Sequence, residues 1–309
     1  MTQPDVSSKA PVPPPEVREV APRVFAYLQP DWRWGLNNTG ILLGREALTL
    51  IDTCFTEGLT RRFLEHAARL SPRPVRALIN THHHADHTFG NWLAPEAAVI
   101  GQEACREEIR REGLFAQSVF PGVTWGRVEP RPPFITFRER LAVFVDDLLL
   151  EVIAVGPAHT RGDAVVWIPE HRVLFAGDVL FKDATPFVAQ GSVSGSLRAL
   201  AVLRALGAET VVPGHGPVCG PEVYDEVEGY LRFVQEAAQR ALAEGLTPLE
   251  AARRTDLGPY AAWGESERIV GNLARAMAEL QGEAPGAPLR GINVVAQMVE
   301  YAGRPLHCP

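Results

Sequence analysis

"THHHADHTFGN", residues 81–91, puts four histidines and an aspartate into the six positions from His82 to His87. It follows "VRALINT", a short apolar run that reads as a strand. In extended backbone, side chains two apart point the same way. His82 and His84 therefore share a side, and Asp86 continues it. His83 points the other way and is expected to bind nothing. His87 falls where "DHTFGNWLA" turns into a helix, so it aims at a second point. One tetrahedral ion cannot take all of these groups. Two adjacent ions are the economical reading, and each needs ligands from elsewhere.

Other strand ends supply them. "VGPAHTRGD" places His159, "VLFAGDVLF" places Asp178 and "VVPGHGP" places His215, each after an apolar run and a small residue. Polar groups at sheet edges are where loops build sites. The expected division is His82, His84 and His159 for one ion, and Asp86, His87 and His215 for the other, with Asp178 bridging. Nitrogen-rich ligation with carboxylates fits two Zn²⁺ ions best, with Fe or Mn as alternatives. Asp86 and Asp178 are also the candidate catalytic carboxylates. Asp52, at the strand end "LIDTC", is expected to support a ligand histidine, the alternative being a turn aspartate. His66, His171 and His307 read as a helix-face, a hairpin and a tail residue.

The rest of the chain frames this site. Its 309 residues are 46% hydrophobic, enough for a sizeable core. A formal net charge of −7 argues against a dedicated nucleic-acid binder. The four cysteines form no C-x-x-C pair, which suits reduced thiols in the cytoplasm. No secretory leader and no membrane-spanning apolar run is legible. Residues 1–16 are Pro-rich and polar and read as a disordered arm. Then come strands, a helix (57–70), a strand, a short strand and a charged helix within 95–113, a looser stretch (115–133), strands, a helix (195–207) and a strand. Beyond residue 221 the pattern is helical. This order predicts a layered α/β (α+β) domain over 17–220 and a helical extension over 221–309. No glycine-rich dinucleotide or P-loop motif is present.

"HHHADH" satisfies H-x-H-x-D-H. With His159, Asp178 and His215 it resembles the metallo-β-lactamase-fold hydrolase superfamily. That resemblance covers about residues 17–220 and implies a four-layer αββα sandwich with a dinuclear site at one edge. The ligand set is similar to that of glyoxalase II-type thioesterases and lactonases. It is less similar to that of the commonest true β-lactamases, which carry Cys where Asp178 stands and Arg where His87 stands. Flavo-diiron oxidases usually have an acidic residue in place of His84. "RPPFITFRERL", "GPAHTRGDAVVWIPEHRVLFAGDV", "GSVSGSL", "GHGPVCGPEV" and "LTPLEAARR" further resemble the cyclase of aromatic polyketide pathways, the actinorhodin type. That resemblance implies thioester cleavage and aldol cyclisation with dehydration on a bicyclic poly-β-ketone carried by acyl carrier protein. Trp32, Trp34, Phe89, Phe181, Lys182 and Phe187 lie near edge loops and are the candidate pocket residues. Arg106, Arg110 and Arg111 are a candidate docking patch for an acidic carrier, the alternative being a solvated helix face.

Overall fold

A computed structural model of the chain describes residues 12–308. Strands β1 (Glu16–Ala21), β2 (Val24–Leu28), β3 (Thr39–Leu43), β4 (Leu48–Ile51), β5 (Val75–Ile79), β6 (Ala98–Gln102) and β7 (Ile135–Phe137) lie in chain order across a seven-stranded sheet. The sheet is antiparallel up to β4 and parallel from there on. Strands β8 (Arg140–Val145), β9 (Leu148–Ala154), β10 (Ala164–Ile168), β11 (Val173–Phe181) and β12 (Thr210–His215) form a second sheet in the order β12-β11-β10-β9-β8.

Parallel neighbours need a crossover, and helices provide it. α1 (Glu57–Leu70) joins β4 to β5. The Thr56 hydroxyl caps its first turn by accepting from Leu59 N, and Thr60, Phe63 and Ala67 form its buried stripe. α2 (Ala85–Thr88) lies between β5 and β6; α3 (Glu103–Glu112) and α4 (Phe115–Val119) lie between β6 and β7. The stretch expected to be loose therefore contains a short helix. α5 (Val193–Leu206) carries the chain from β11 to β12, the one parallel pair of the second sheet. The 169–172 connection between β10 and β11 is a 3₁₀ turn with Arg172 left-handed, longer than the tight hairpin expected at "EHRV".

Three seams define four layers. Phe63 and Ala67 of α1 pack on Tyr27, Ile41, Leu50 and Leu78, the outer face of the first sheet. Leu42, Ile51, Ile79 and Ile100 meet Leu150, Val152, Val166 and Phe175 between the sheets. Trp167, Leu174 and Val211 on the outer face of the second sheet meet Leu200 and Leu203 of α5. This is the expected αββα sandwich. Helices α6 (Glu222–Ala243), α7 (Pro248–Arg254), α8 (Arg268–Leu280) and α9 (Val294–Ala302) follow. Tyr230, Val234, Ile269, Leu273 and Met298 join the same outer seam, so the extension shares a core with the second sheet. Each such fully buried side chain contributes about 1.5–3 kcal/mol.

The arm expected over residues 1–16 overlaps β1 at Glu16, and its residues 1–11 lie outside the described ones. The tail is not loose: His307 is buried beside Glu265, and its carbonyl accepts from Trp34 N. Among the described residues no helix is long and apolar enough to cross a membrane.

Candidate metal centre

The ligand-type residues come from strand ends and the loops after them, except Asp178, which was expected after a strand and lies inside β11, and the backbone explains the small residues beside them. Gly177 in β11 has φ +50°, in the left-handed region, and a methyl on it would meet the Thr81 side chain. A methyl on Gly214 would come within 1.9 Å of Asp178 Oδ1. The two glycines let β11 and β12 bring Asp178 and His215 up against the β5 end that carries His82.

The structure brings all seven predicted residues together. One group holds His82, His84, His159 and Asp178; the other holds Asp86, His87 and His215; within each group the ligand atoms lie within 4.8 Å of one another. Asp178 reaches both groups. Its oxygens lie 3.4 Å from His159 Nε2, 3.1 Å from His87 Nε2 and 3.3 Å from His215 Nε2. Asp86 Oδ2 lies 3.3 Å from His215 Nε2.

Each histidine is oriented through its other nitrogen. His87 Nδ1 lies 2.8 Å from Asp52 Oδ2, and His215 Nδ1 donates to the Leu36 carbonyl at 3.0 Å. His159 Nδ1 donates to the Phe187 carbonyl, and His84 Nε2 donates to Gln190 Oε1. His82 Nδ1 lies 3.1 Å from Thr81 Oγ1, which itself donates to Asp52 Oδ2 at 2.7 Å. Asp52 thus supports His87 directly and His82 through a hydroxyl. This leaves Nε2 of His82, His87, His159 and His215, and Nδ1 of His84, facing the cluster with lone pairs available.

The electrostatics fit cations there. Burial holds His82, His84 and His159 below the ordinary imidazole range, His159 down to about 3, so they are neutral as ligation requires. Burial also works against charge on His87 and His215, but Asp178 foremost, with Asp86, outweighs it and raises both. Burial alone would raise the Asp86 carboxyl; His87 and His215 outweigh it and hold it at about 2. His82 Nε2, His87 Nε2 and Asp178 Oδ1 are buried without hydrogen-bond partners. Such orphans at the meeting point of five imidazoles and two carboxylates suit two divalent ions of the zinc type.

His83 turns to a different neighbourhood. Its ligand atom lies within 4.8 Å of Glu108 and Glu112, with Nε2 3.3 Å from Glu112. Arg161 and Arg111 already pair with these glutamates, so the charge there is balanced without a cation.

A cavity of about 630 Å³ opens over the cluster, with His84, Asp86, His159, Asp178 and His215 on its wall. Of the six candidate pocket residues, Trp34, Phe89, Phe181 and Phe187 line it; Trp32 and Lys182 do not. Trp32 packs against Gly264, and Lys182 Nζ turns to α6 to pair with Glu226 at 2.6 Å. A lysine with a carboxylate in reach loses little by leaving the pocket. Of the three arginines on α3, Arg110 is exposed while the other two have partners within the chain. Arg111 is paired with Glu108 and Glu112, and Arg106 donates to the Pro133 carbonyl. Phe55, Phe120, Gln190, Met298 and Leu306 also line the cavity and carry no local sequence signal for it.

The metallo-beta-lactamase superfamily profile matches residues 32–215, more than half of the chain. The chain belongs to this superfamily. A solved metallo-beta-lactamase from Pontibacter korlensis superposes with a TM-score of 0.61 at 20% identity, over 71% of this chain and 99% of that one. Among curated relatives, a linear primary-alkylsulfatase of a Pseudomonas species is 24% identical over 70% of this chain and 49% of its own length. A hydroxyacylglutathione hydrolase of Methylococcus capsulatus is 28% identical over 57% and 59%. The acyl-coenzyme A thioesterase MBLAC2 of Gallus gallus is 30% identical over 60% and 74%. The chain spans about half the length of the first of these relatives. The matched residues include His82, His84, Asp86, His87, His159, Asp178 and His215, a cluster whose residues could hold metal ions.

Proposed function

We propose that this superfamily member cleaves the acyl carrier protein thioester of a bicyclic aromatic polyketide and closes a further ring by intramolecular aldol condensation and dehydration. The observation that carries this reading is the cavity: about 630 Å³, walled by Trp34, Phe55, Phe120, Phe181 and Phe187, with the metal cluster at its side. A volume of roughly 300–1,000 Å³ suits a drug-sized, largely apolar ligand. A fused-ring acyl group fills such a space, and flat aromatic walls hold it by stacking.

His82, His84 and His159, with Asp86, His87 and His215 and with Asp178 within reach of both groups, would hold two zinc ions, which would supply Lewis acidity toward a carbonyl and acidify water. The chain's own residues do the rest. The apolar walls exclude bulk water and fix the acyl chain so that one carbonyl faces the cluster. Asp86 and Asp178 face the cavity as ionised carboxylates. Asp178 is the carboxylate assigned to take a proton from the activated methylene between two carbonyls, which the aldol step needs, and Asp86 orients the nucleophile. The second reading, a general thioesterase or lactonase of glyoxalase II-like type, is favoured by the hydroxyacylglutathione hydrolase and acyl-coenzyme A thioesterase relatives.

The zinc-loaded protein, given a pantetheine thioester of an aromatic poly-β-ketone, is expected to release free thiol and a ring-closed, dehydrated product. Thiol release with only open-chain acid leaves the general thioesterase. No thiol release removes both. Metal analysis is expected to find two zinc per chain.

A further inference from the structure

Helix α8 buries polar groups where an amphipathic helix would bury apolar ones. Arg268, Asn272, Arg275 and Glu279 follow at spacings of four, three and four, so they share one face. The first three are at most 1% exposed. All four grip a single stretch of chain. Arg268 Nη1 donates to the Thr185 carbonyl at 2.9 Å. Asn272 donates to the Pro186 carbonyl at 2.7 Å and accepts from Val188 N at 2.9 Å. Arg275 donates twice to the Ala189 carbonyl, at 3.1 and 2.7 Å, and once to Ala287. Glu279 accepts from Val193 N and Ser194 N at 2.9 and 3.1 Å.

That stretch contains two of the groups that orient ligands of one ion. The Phe187 carbonyl receives His159 Nδ1–H, and Gln190 Oε1 receives His84 Nε2–H. The facing nitrogens of these histidines lie 2.8 Å apart. Taking a guanidinium out of water is expensive. Two of them lie on one helix: Arg268 also sits over the Trp34 and Phe181 rings and Arg275 also donates to Ala287, and what the two share is the donation to the Thr185–Ala189 carbonyls.

We propose that α8 is a positioning element for the metal centre: Arg268, Asn272 and Arg275 fix the Thr185–Gln190 segment, whose Phe187 carbonyl and Gln190 amide set the rings of His84 and His159. The extension thereby completes the site from outside the sandwich. The proposal rests on the seven residues holding metal, not on the identity of the substrate.

The test uses the full chain, zinc binding by competition with a chelator, and the visible spectrum of the cobalt-substituted protein. Arg275→Met keeps the packing and removes the donors. Gln190→Ala removes the contact to His84 at a half-buried position. Each is expected to weaken one of the two ions by about ten- to hundredfold and to alter its cobalt bands, leaving the other ion as in wild type. Arg275→Lys, still a donor to Ala189, is expected to fall between wild type and Arg275→Met. A merely structural role would lower the melting temperature and leave both affinities and the spectrum unchanged. That result, in folded Arg275→Met or in Gln190→Ala, overturns the proposal. Should Arg275→Met not fold, wild-type affinity and spectrum in Arg275→Lys overturn it equally. Wild-type protein that takes up no metal overturns the metal-centre reading and the proposal with it.

Discussion

At the scale of single residues, Asp52 shows how one buried carboxylate serves both halves of the site. It sits at φ +60°, accepts from Thr81 N and Thr81 Oγ1, and contacts His87 Nδ1. Asp52→Ala is expected to weaken both ions in a chelator titration. The larger loss, about ten- to hundredfold, falls on the ion held by His87, since the link to His82 runs through a hydroxyl. Glu265 is a second case. Burial first, then the neighbouring Glu267, pushes its carboxyl up to about 10. A folded-state pKa above the unfolded value near 4.5 gives stability that is complete below that value and is lost as pH rises toward 10. Glu265→Gln removes this dependence. The melting temperature of the variant relative to wild type is expected to climb steadily from pH 5 to pH 9; a flat difference would show that Glu265 does not titrate in this way.

At the scale of elements, α1 and the strands were legible because each shows a single period. Phe63 and Ala67 recur at helical spacing, and β10 throughout and β11 apart from Gly177 and Asp178 are apolar because both faces are covered. The strand ends before His159 and at His215 were legible for the same reason, whereas Asp178, expected after a strand, lies inside β11 beside the register shift at Gly177. Less visible was where a continuous run changes sheet. β7 ends the first sheet and β8 begins the second within three residues, a break that pairing partners decide. The helix α9 was readable as a helix but not as a pocket wall. Its Met298 is 1% exposed and lines the cavity. Met298→Trp should fill that space. Its kcat/KM is expected to fall at least about tenfold for a fused-ring acyl thioester, and little for an acetyl thioester, because overpacking takes volume only from the larger group. Equal losses on both substrates would remove α9 from the acyl-binding wall.

At the scale of the whole molecule, the metal centre sits where both sheets and the extension converge, so ligand and fold stabilities are linked. Ions that bind the folded chain and not the unfolded one stabilise it by about 4 kcal/mol each at a thousandfold excess over Kd. Chelation is therefore expected to lower the melting temperature well below that of the zinc-loaded protein, and added zinc to restore it. A melting temperature indifferent to chelator would mean that the cluster is held by protein contacts alone.

The layered class and the residue types that meet in the cluster were written in the sequence. Coordination chemistry demands particular residues, and strand ends announce themselves through short-range pattern. It also carried the alternation that turns His83 from the cluster, for side-chain direction in extended backbone is a local property. Long-range packing settled that Lys182 leaves the pocket for Glu226, that Trp32 packs on Gly264, and that Gln190 and the Phe187 carbonyl hold His84 and His159. Those outcomes depend on which distant segments meet, and nothing within a few residues of Lys182 or Gln190 encodes α6 or α8. The physical difference is one of range: ligand identity and backbone period are written locally, whereas orientation and pocket shape arise from packing between segments far apart in the chain.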